Sequence, residues 1–276
     1  MRRARFTVAY NGTELSGFAE QIGVPTVLGE LRGSIERILQ KPVDMAGAGR
    51  TDAGVHSWGQ VVSIDLPDHL DLANIQRRVN RMCAPHIAIR DLQWAPHPEW
   101  HARFSASYRR YRYHVLNARE PNPFLANTAW HITEPLHLPG MQLACDPLIG
   151  EHDFSSFCRR PKAEEGEALA SMVRLVLDAQ WKDVPGETPG LLRFEITANA
   201  FCHQMVRSIV GTLVDVGLRK LHAGDVRGIL VSKNRQFAGQ VAPARGLVLW
   251  EVGYPQTIDI GEYGTQANDV RSDDTE

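Results

Sequence analysis

The stretch AGAGRTDAGVHSWG at residues 46–59 decides how the rest of the sequence is interpreted. Glycines at 47, 49 and 54 surround the tripeptide Arg-Thr-Asp at 50–52, and glycine allows the tight backbone turns of a short loop. The stretch lacks the G-x-x-x-x-G-K-[ST] pattern of a P-loop, and Asp52 stands where a G-x-G-x-x-G motif has its third glycine. The pattern therefore predicts a functional loop that presents Arg50 and Asp52, and it does not indicate a nucleotide cradle.

Hydrophobic periodicity outside this loop predicts a mixture of strands and helices. In the first half we expect strands at 4–10, on both sides of the loop and at 87–96, and helices from Thr26 to Leu39 and at 72–83. In the second half we expect strands at 107–116, 172–182, 191–200 and 246–253, and helices at 139–149, 202–219 and 224–232. This order predicts an α+β fold with antiparallel pairing. We expect domains at 1–101 and 102–256, followed by a disordered acidic tail at 257–276.

The helix expected at 202–219 carries a second set of candidate residues. Its buried stripe consists of Val206, Ile209, Val210, Leu213 and Val214. His203, Arg207 and Gly211 follow one another at intervals of four along the flank. At the edge of the buried stripe, Arg207 either pairs with a carboxylate or extends into solvent as an ordinary surface arginine. We interpret His203 as a structural residue.

The charge is distributed unevenly along the chain. The 276 residues have a formal net charge of -2, with 43% hydrophobic and 22% charged residues, which is typical of a folded globular protein. The C-terminal end of the sequence is rich in acidic residues, and the rest of the chain has a positive net charge. Within that rest, the stretch 100–119 contains no acidic residue. That stretch alternates arginines with tyrosines, a pattern that suits a phosphate backbone and a stacked base, although a strand with solvated arginines gives the same pattern. The residues are Arg103, Tyr108, Arg109, Arg110, Tyr111, Arg112, Tyr113 and Arg119.

Other signals indicate a cytoplasmic protein without a metal. The four cysteines are scattered, with no C-x-x-C pair, so neither a zinc site nor a disulfide framework is indicated. The first ten residues lack the apolar core of a signal peptide, and no segment has the length of a membrane span.

Four separated segments resemble the tRNA pseudouridine synthase A family. They are GRTDAGVH (49–56), RFSASYRRYRY (103–113), NAFCHQMVRSIVG (199–211) and RGLVL (245–249), and the resemblance runs from AYNGT near the start to RGLVLWEVGYP near the end. The chain departs from the common family pattern at Phe18, Leu28, Cys202 and Arg245, none of which matches a catalytic position.

The resemblance implies a role for each matching residue. Asp52 matches the catalytic aspartate and Arg207 its basic partner. Arg50 matches the arginine that helps to bring the target nucleotide out of the stack. Tyr111 matches the tyrosine that stacks on the target base, and Leu247 matches an apolar wall of the base pocket.

The resemblance also implies the fold, the assembly and the reaction. The fold would be two similar mixed domains joined by a continuous, mostly antiparallel sheet with helices on one face, in a homodimer. The reaction would be isomerisation of uridine to pseudouridine at positions 38, 39 and 40 in the anticodon stem and loop of tRNA. It involves neither redox chemistry nor hydrolysis, so no cofactor or metal is expected.

Three questions remain open at this point. Asp52 could attack the sugar, attack the base, or deprotonate the sugar to give a glycal-like intermediate. A glycosidase also acts at C1′, but it normally uses two cooperating carboxylates, whereas this loop offers Asp52 beside arginines. A non-catalytic tRNA-binding protein on the same scaffold is the other alternative, and the presence of all the matching residues argues against it.

Overall fold

A computed structural model describes residues 1–159, 171–184, 186 and 188–255. Strands and helices alternate through these ranges in an α+β fold. The strands are β1 (Arg2–Tyr10), β2 (Met45–Gly47), β3 (His56–Leu66), β4 (Ile87–Trp94), β5 (Tyr108–Asn117), β6 (Trp130–Ile132), β7 (Gly150–Asp153), β8 (Val173–Asp183), β9 (Leu191–Ala198) and β10 (Leu247–Gly253). The α-helices are α1 (Val27–Leu39), α2 (Leu72–Cys83), α3 (Leu138–Leu143), α4 (Met205–Gly217) and α5 (Asp225–Ser232).

Within the described part of the chain, these strands form one ten-stranded sheet. Its order is β4-β1-β3-β10-β5-β9-β8-β7, with β2 beside β3 and β6 beside β5. The β3–β10 and β5–β6 pairs are parallel, and the other pairings are antiparallel. The expectation of a continuous, mostly antiparallel sheet is therefore confirmed, and β10, the last of the described strands along the sequence, lies in its middle.

The seam between the two halves of the sheet is the β3–β10 pair. Its parallel register consists of His56 opposite Val248 and Ser57 opposite Leu249. Further along, the backbone of β10 comes so close that a Cβ at Gly59 would overlap the carbonyl oxygen of the facing tryptophan. On the exposed side, the rings of Trp58 and Trp250 stack with centroids 6.0 Å apart. The short seam thus depends on a glycine and on an aromatic pair as well as on its ladder.

The helices cover one face of the sheet. The β1 residues Ala4, Phe6 and Val8 belong to a buried cluster with residues of α1 and α2, and Tyr111 and Tyr113 of β5 belong to a second cluster with α3 and α4. The strand register places Tyr10, Ser57, Leu249 and Tyr111 in one row across the sheet. Both buried clusters therefore lie on the same face, as the resemblance implies.

Most expected elements are present, and two need correction. The expected helix at 139–149 is wrong, because α3 ends at Leu143 and Asp146–Leu148 is a separate 3-10 turn. Pro147 has no N–H to donate, and its ring would clash with the carbonyl four residues earlier. The helix expected from 202 begins at Met205, because Gln204 adopts a left-handed conformation with φ of 62°. The short strands β6 and β7 had no counterpart among the expectations, and the expected acidic tail lies outside the described residues.

Candidate active site

The residues between β2 and β3, 48–55, form a loop that we call the Asp52 loop. The hydroxyl of Tyr10 lies 2.7 Å from the hydroxyl of Thr51, and both residues are buried. The backbone of Gly17 packs against the other side of the loop, with φ of +102°, where a Cβ would lie 2.8 Å from the carbonyl oxygen of Thr51. Because its neighbour in the sequence is fixed from both sides, Asp52 is held at a defined position.

Asp52 is in contact with two basic side chains. Its Oδ2 accepts a hydrogen bond of 2.9 Å from Nη1 of Arg207, and its Oδ1 lies 3.3 Å from Nε2 of His203. The Arg207 side chain is 17% exposed and that of Asp52 is 27% exposed, whereas that of His203 is 47% exposed. Asp52 and Arg207 therefore form a partly desolvated, charge-assisted pair, and His203 approaches from the more open side. The earlier interpretation of His203 as a structural residue did not anticipate this contact.

Arg207 lies in the first turn of α4 and makes a second contact that orients it. Its Nε donates to the carbonyl oxygen of Ala242 at 2.7 Å, and the N–H of Ala242 donates to the carbonyl oxygen of Arg207 at 3.1 Å. The planar guanidinium can use Nε and Nη1 in different directions at the same time, which a lysine ammonium cannot do with the same geometry.

Residues 239–246, which we call the cover segment, were assigned no role in the sequence analysis, which reached them only at Arg245 and Gly246. Pro243 accepts a hydrogen bond of 2.8 Å from the hydroxyl of Tyr113, and the Cβ of Ala244 packs beside Gly54 of the Asp52 loop. A Cβ at Gly211 of α4 would overlap the carbonyl oxygen of Gln240. A glycine inside a strongly apolar helix is the one signal in the sequence that indicates so close a backbone approach.

The cover segment also changes the description of α4. The polar residues Ser208 and Thr212 are fully buried, in addition to the expected apolar stripe. The helix is therefore enclosed on more than one side, and the expected flank at Gly211 is a packing surface.

Tyr111 lies on β5 beside these groups. It is 8% exposed, and its ring meets that of Phe201 in an edge-on arrangement with centroids 5.0 Å apart. Burial raises the pKa of Tyr111 to about 12; Arg109 opposes this shift and the Asp52 carboxylate adds to it. Its phenol therefore stays neutral at physiological pH, and the ring supplies an uncharged aromatic surface next to Asp52.

The basic stretch 100–119 was expected to present its arginines to RNA, but three of these arginines contact other parts of the protein. Arg109 donates to the carbonyl oxygens of residues 48, 103, 106 and 199. Arg110 forms an ion pair of 3.0 Å with Glu251, and Arg112 forms one of 2.6 Å with Glu195. These three side chains are therefore occupied within the protein.

The two remaining expected site residues lie apart from the Asp52 pair. Arg50 is exposed and has no ion pair or side-chain hydrogen bond with any residue that the structure describes. Leu247 is 6% exposed and lies opposite Tyr113, two positions along β10 from the residue opposite Tyr111. The structure thus brings together Asp52, Arg207 and Tyr111, with Arg50 at the rim.

The described ranges contain neither a metal-binding cluster nor a membrane-spanning helix. No group of three or more His, Cys, Asp or Glu side chains there could hold a metal ion. No helix there combines the length and apolarity that a membrane crossing requires.

Comparison with known proteins adds a decisive similarity. A family model described as tRNA pseudouridine synthase matches residues 144–255. Over 275 residues the chain is 37% identical to tRNA pseudouridine synthase A of Cutibacterium acnes, which covers 99% of this chain and 96% of that protein. The proteins of the same name from Brevibacillus brevis and Frankia casuarinae are 37% and 38% identical, covering 92% and 98% of this chain and 100% and 95% of their own lengths.

The chain belongs to the tRNA pseudouridine synthase A family.

A tRNA pseudouridine synthase A is an isomerase, so the chain is an enzyme and the resemblance found in its sequence is confirmed. The matched relatives extend over both halves of the sheet, including the Asp52 loop and α4. Similarity to solved structures is weaker: one chain of a Cbf5-Nop10-Gar1 complex gives a TM-score of 0.33 at 14% identity, covering 77% of this chain and 45% of that chain.

Proposed function

We propose that the chain isomerises uridine to pseudouridine at positions 38, 39 and 40 in the anticodon stem and loop of tRNA, as a cytoplasmic homodimer. The observation that carries the proposal is the Asp52–Arg207 pair beside the Tyr111 ring, in a chain of this family. Two catalytic domains, 1–101 and 102–256, fit this arrangement, because each contributes one member of the pair.

The reaction must break the bond from C1′ to N1, rotate the uracil and form a new bond from C1′ to C5. A base inside a stem cannot rotate, so the nucleotide has to leave the stack, at a cost of a few kcal/mol that stacking and phosphate contacts offset. In our proposal Tyr111 supplies the stacking surface, Leu247 supplies an apolar wall, and Arg50 helps to bring the target nucleotide out of the stack. The exposure of Arg50 at the rim supports its part in this step.

In this proposal Asp52 performs the chemistry, as a nucleophile or as a base toward the sugar. Arg207 holds Oδ2, so that Oδ1 can turn toward the substrate when the more exposed His203 moves away. The side chains that contact Asp52 are an arginine and a histidine rather than a second carboxylate, which supports this role over a glycosidase role with two cooperating carboxylates.

The test is conversion of uridine in an unmodified tRNA transcript, mapped by carbodiimide labelling. The parent protein should convert uridines at 38, 39 and 40. Asp52→Asn should retain RNA affinity and lose turnover by at least about 10³-fold. Asp68→Asn, at a carboxylate with 77% side-chain exposure, is the matched control and should behave like the parent. Conversion by Asp52→Asn at the parental rate would refute the catalytic assignment, and conversion only at other positions would refute the substrate assignment.

A further inference from the structure

The turn at residues 101–105, which we call the Phe104 turn, holds an aromatic ring in solvent. Phe104 is 76% exposed. The turn is closed by hydrogen bonds from Ser105 N to His101 O at 3.0 Å, from His101 N to Ser105 Oγ at 3.1 Å, and from Arg103 N to His101 Nδ1 at 3.0 Å. The exposure of the ring is therefore a property of an ordered turn, with little conformational entropy left to lose on binding.

The Phe104 turn is joined directly to the Asp52 loop. Nη2 of Arg109 donates to the carbonyl oxygen of Arg103 at 2.7 Å and to that of Ala48 at 3.1 Å. Nη1 of the same guanidinium donates at 2.9 Å to the carbonyl oxygen of Asn199, shortly before α4. One half-buried cation thus fixes the Phe104 turn in relation to both segments that build the site.

The charges around the ring indicate the chemistry of a ligand. Arg103 lies against Phe104, with its Cζ 5.5 Å from the ring centroid, and the His101 ring lies 4.6 Å away. Arg50 and Arg103 are both exposed, and neither forms an ion pair with a described residue. An exposed aromatic ring beside Arg103, an arginine with no ion pair among the described residues, suits a nucleotide, whose base can stack while its phosphate pairs with arginine.

A protein partner fits these observations less well. Stable protein interfaces bury roughly 800 Å² on each partner, mostly through a continuous patch. Within its turn Phe104 is flanked by the polar or charged residues His101, Arg103 and Ser105, and the remaining residue, Ala102, is fully buried. A single exposed ring in polar surroundings has enough area to stack on one base, but too little apolar area to form the core of a protein interface.

We propose that Phe104 stacks on an unpaired base of the RNA next to the target uridine, while Arg103 pairs with an adjoining phosphate. This contact rests on the proposed function, since the ligand is the RNA substrate. It gives the RNA a second aromatic stacking surface on an exposed residue, in addition to the buried Tyr111.

The test compares Phe104→Ala and Phe104→Trp with the parent on an anticodon stem-loop RNA. Phe104→Ala should raise both the Kd and the KM about 10-fold while kcat at saturating RNA stays within about twofold, because stacking contributes to binding before the reaction. Phe104→Trp should restore parental values. Phe124→Ala is the matched control, because Phe124 is 94% exposed on a separate 3-10 turn, Pro123–Leu125, and should not change either constant.

A fluorescent base reports the contact itself. With 2-aminopurine placed next to the target uridine, binding to the parent should quench its emission by stacking, and Phe104→Ala should lose that quenching. An unchanged Kd and KM in Phe104→Ala would overturn the proposal. So would an increase in KM that accompanies a change of oligomeric state measured by light scattering, since the ring would then serve a protein contact.

Failure of the proposed function would give a different result from failure of the Phe104 contact. A parent that binds the stem-loop without converting its uridines would refute the substrate assignment, while the Kd of Phe104→Ala on the same RNA would still decide whether the ring contacts it.

Discussion

Asp52 and Arg207 are 155 positions apart in the chain, yet a hydrogen bond of 2.9 Å joins their side chains. The guanidinium reaches the Asp52 loop through Nη1 and the cover segment, at Ala242, through Nε. A single side chain on α4 therefore links the Asp52 loop to the cover segment, in addition to the packing of Ala244 beside Gly54. Both ends of this link can be tested separately.

The substitution Arg207→Lys should separate charge from geometry. Lysine keeps the positive charge, but its single nitrogen cannot make both contacts. A shift of the carboxylate by about 1 Å should lower turnover about 10²-fold, with RNA affinity close to that of the parent. Single-turnover conversion measures this effect, and Arg37→Lys, at an exposed position on α1, serves as the control. Full activity in Arg207→Lys would mean that charge alone is sufficient.

The hydroxyl pair of Tyr10 and Thr51 should stabilise both the fold and the site. Tyr10→Phe leaves the Thr51 hydroxyl without this buried partner, so the free energy of unfolding should fall by about 1–2 kcal/mol. Turnover should fall as well, because Asp52 follows Thr51 directly. Urea denaturation and single-turnover conversion provide the two readouts.

A double-mutant cycle with Thr51→Val tests that this effect belongs to the pair. The double variant should be less destabilised than the two single variants together. Strict additivity would show that the two hydroxyls do not depend on each other.

Two glycines in helices of equal length should respond to alanine in opposite directions. Gly211→Ala places a Cβ against the carbonyl oxygen of Gln240, so it should displace the cover segment and destabilise the protein by about 1–3 kcal/mol. Gly33→Ala on α1 meets nothing within 4 Å and should stabilise the protein by about 0.5–1 kcal/mol, because alanine favours the helix. Thermal unfolding measures both changes, and a Gly211→Ala protein as stable as the parent would contradict the close approach.

His114 should make folding sensitive to acid. Burial, followed by the nearby Arg193 and Arg112, lowers the pKa of His114 to about 4, from about 6.5 in an unfolded chain. Because the unfolded chain takes up the proton more readily, this contribution is complete above about pH 6.5 and is lost as the pH falls to about 4. The loss should be on the order of 3 kcal/mol.

Urea denaturation at pH 7.5 and at pH 4.5 tests this contribution. Other groups also titrate in this interval, so the comparison is between the parent and His114→Gln. The parent should lose more stability on acidification than the variant does. Equal losses would mean that His114 accepts a proton equally well in the folded and unfolded chains.

Local patterns in the sequence were sufficient for the regular elements. The bounds expected for the helix at 72–83 are those of α2, because a strong amphipathic pattern and Asp71 as N-cap are local features. Pro147 could have corrected the expected end of α3, since the effect of proline on a helix is also local. The left-handed Gln204 could not be expected in this way, because the position carries neither the glycine nor the asparagine that usually marks this conformation.

The site was predictable only in part, because the contacts that hold its residues form only in the folded chain. The family motif was sufficient to nominate Asp52, Tyr111 and Arg207 as candidates, but not to describe how they are held. Arg109 has the same chemistry as its neighbours in the basic stretch, and only the folded chain brings four carbonyl oxygens to it. The cover segment contacts α4 through its backbone and the Asp52 loop through the small side chain of Ala244, so its sequence carries little trace of that role.

The central position of β10 sets the order in which a growing chain can become an enzyme. Among the described strands it is made last, and it lies between β3 and β5. A nascent chain that has not reached Leu247 exposes two open strand edges in the interior of the future sheet, where they are prone to incorrect pairing. It also cannot dock its two halves around the Asp52 loop. The two halves can therefore dock around the active site only after β10 has been made, and a chain that stops before Leu247 should not modify RNA.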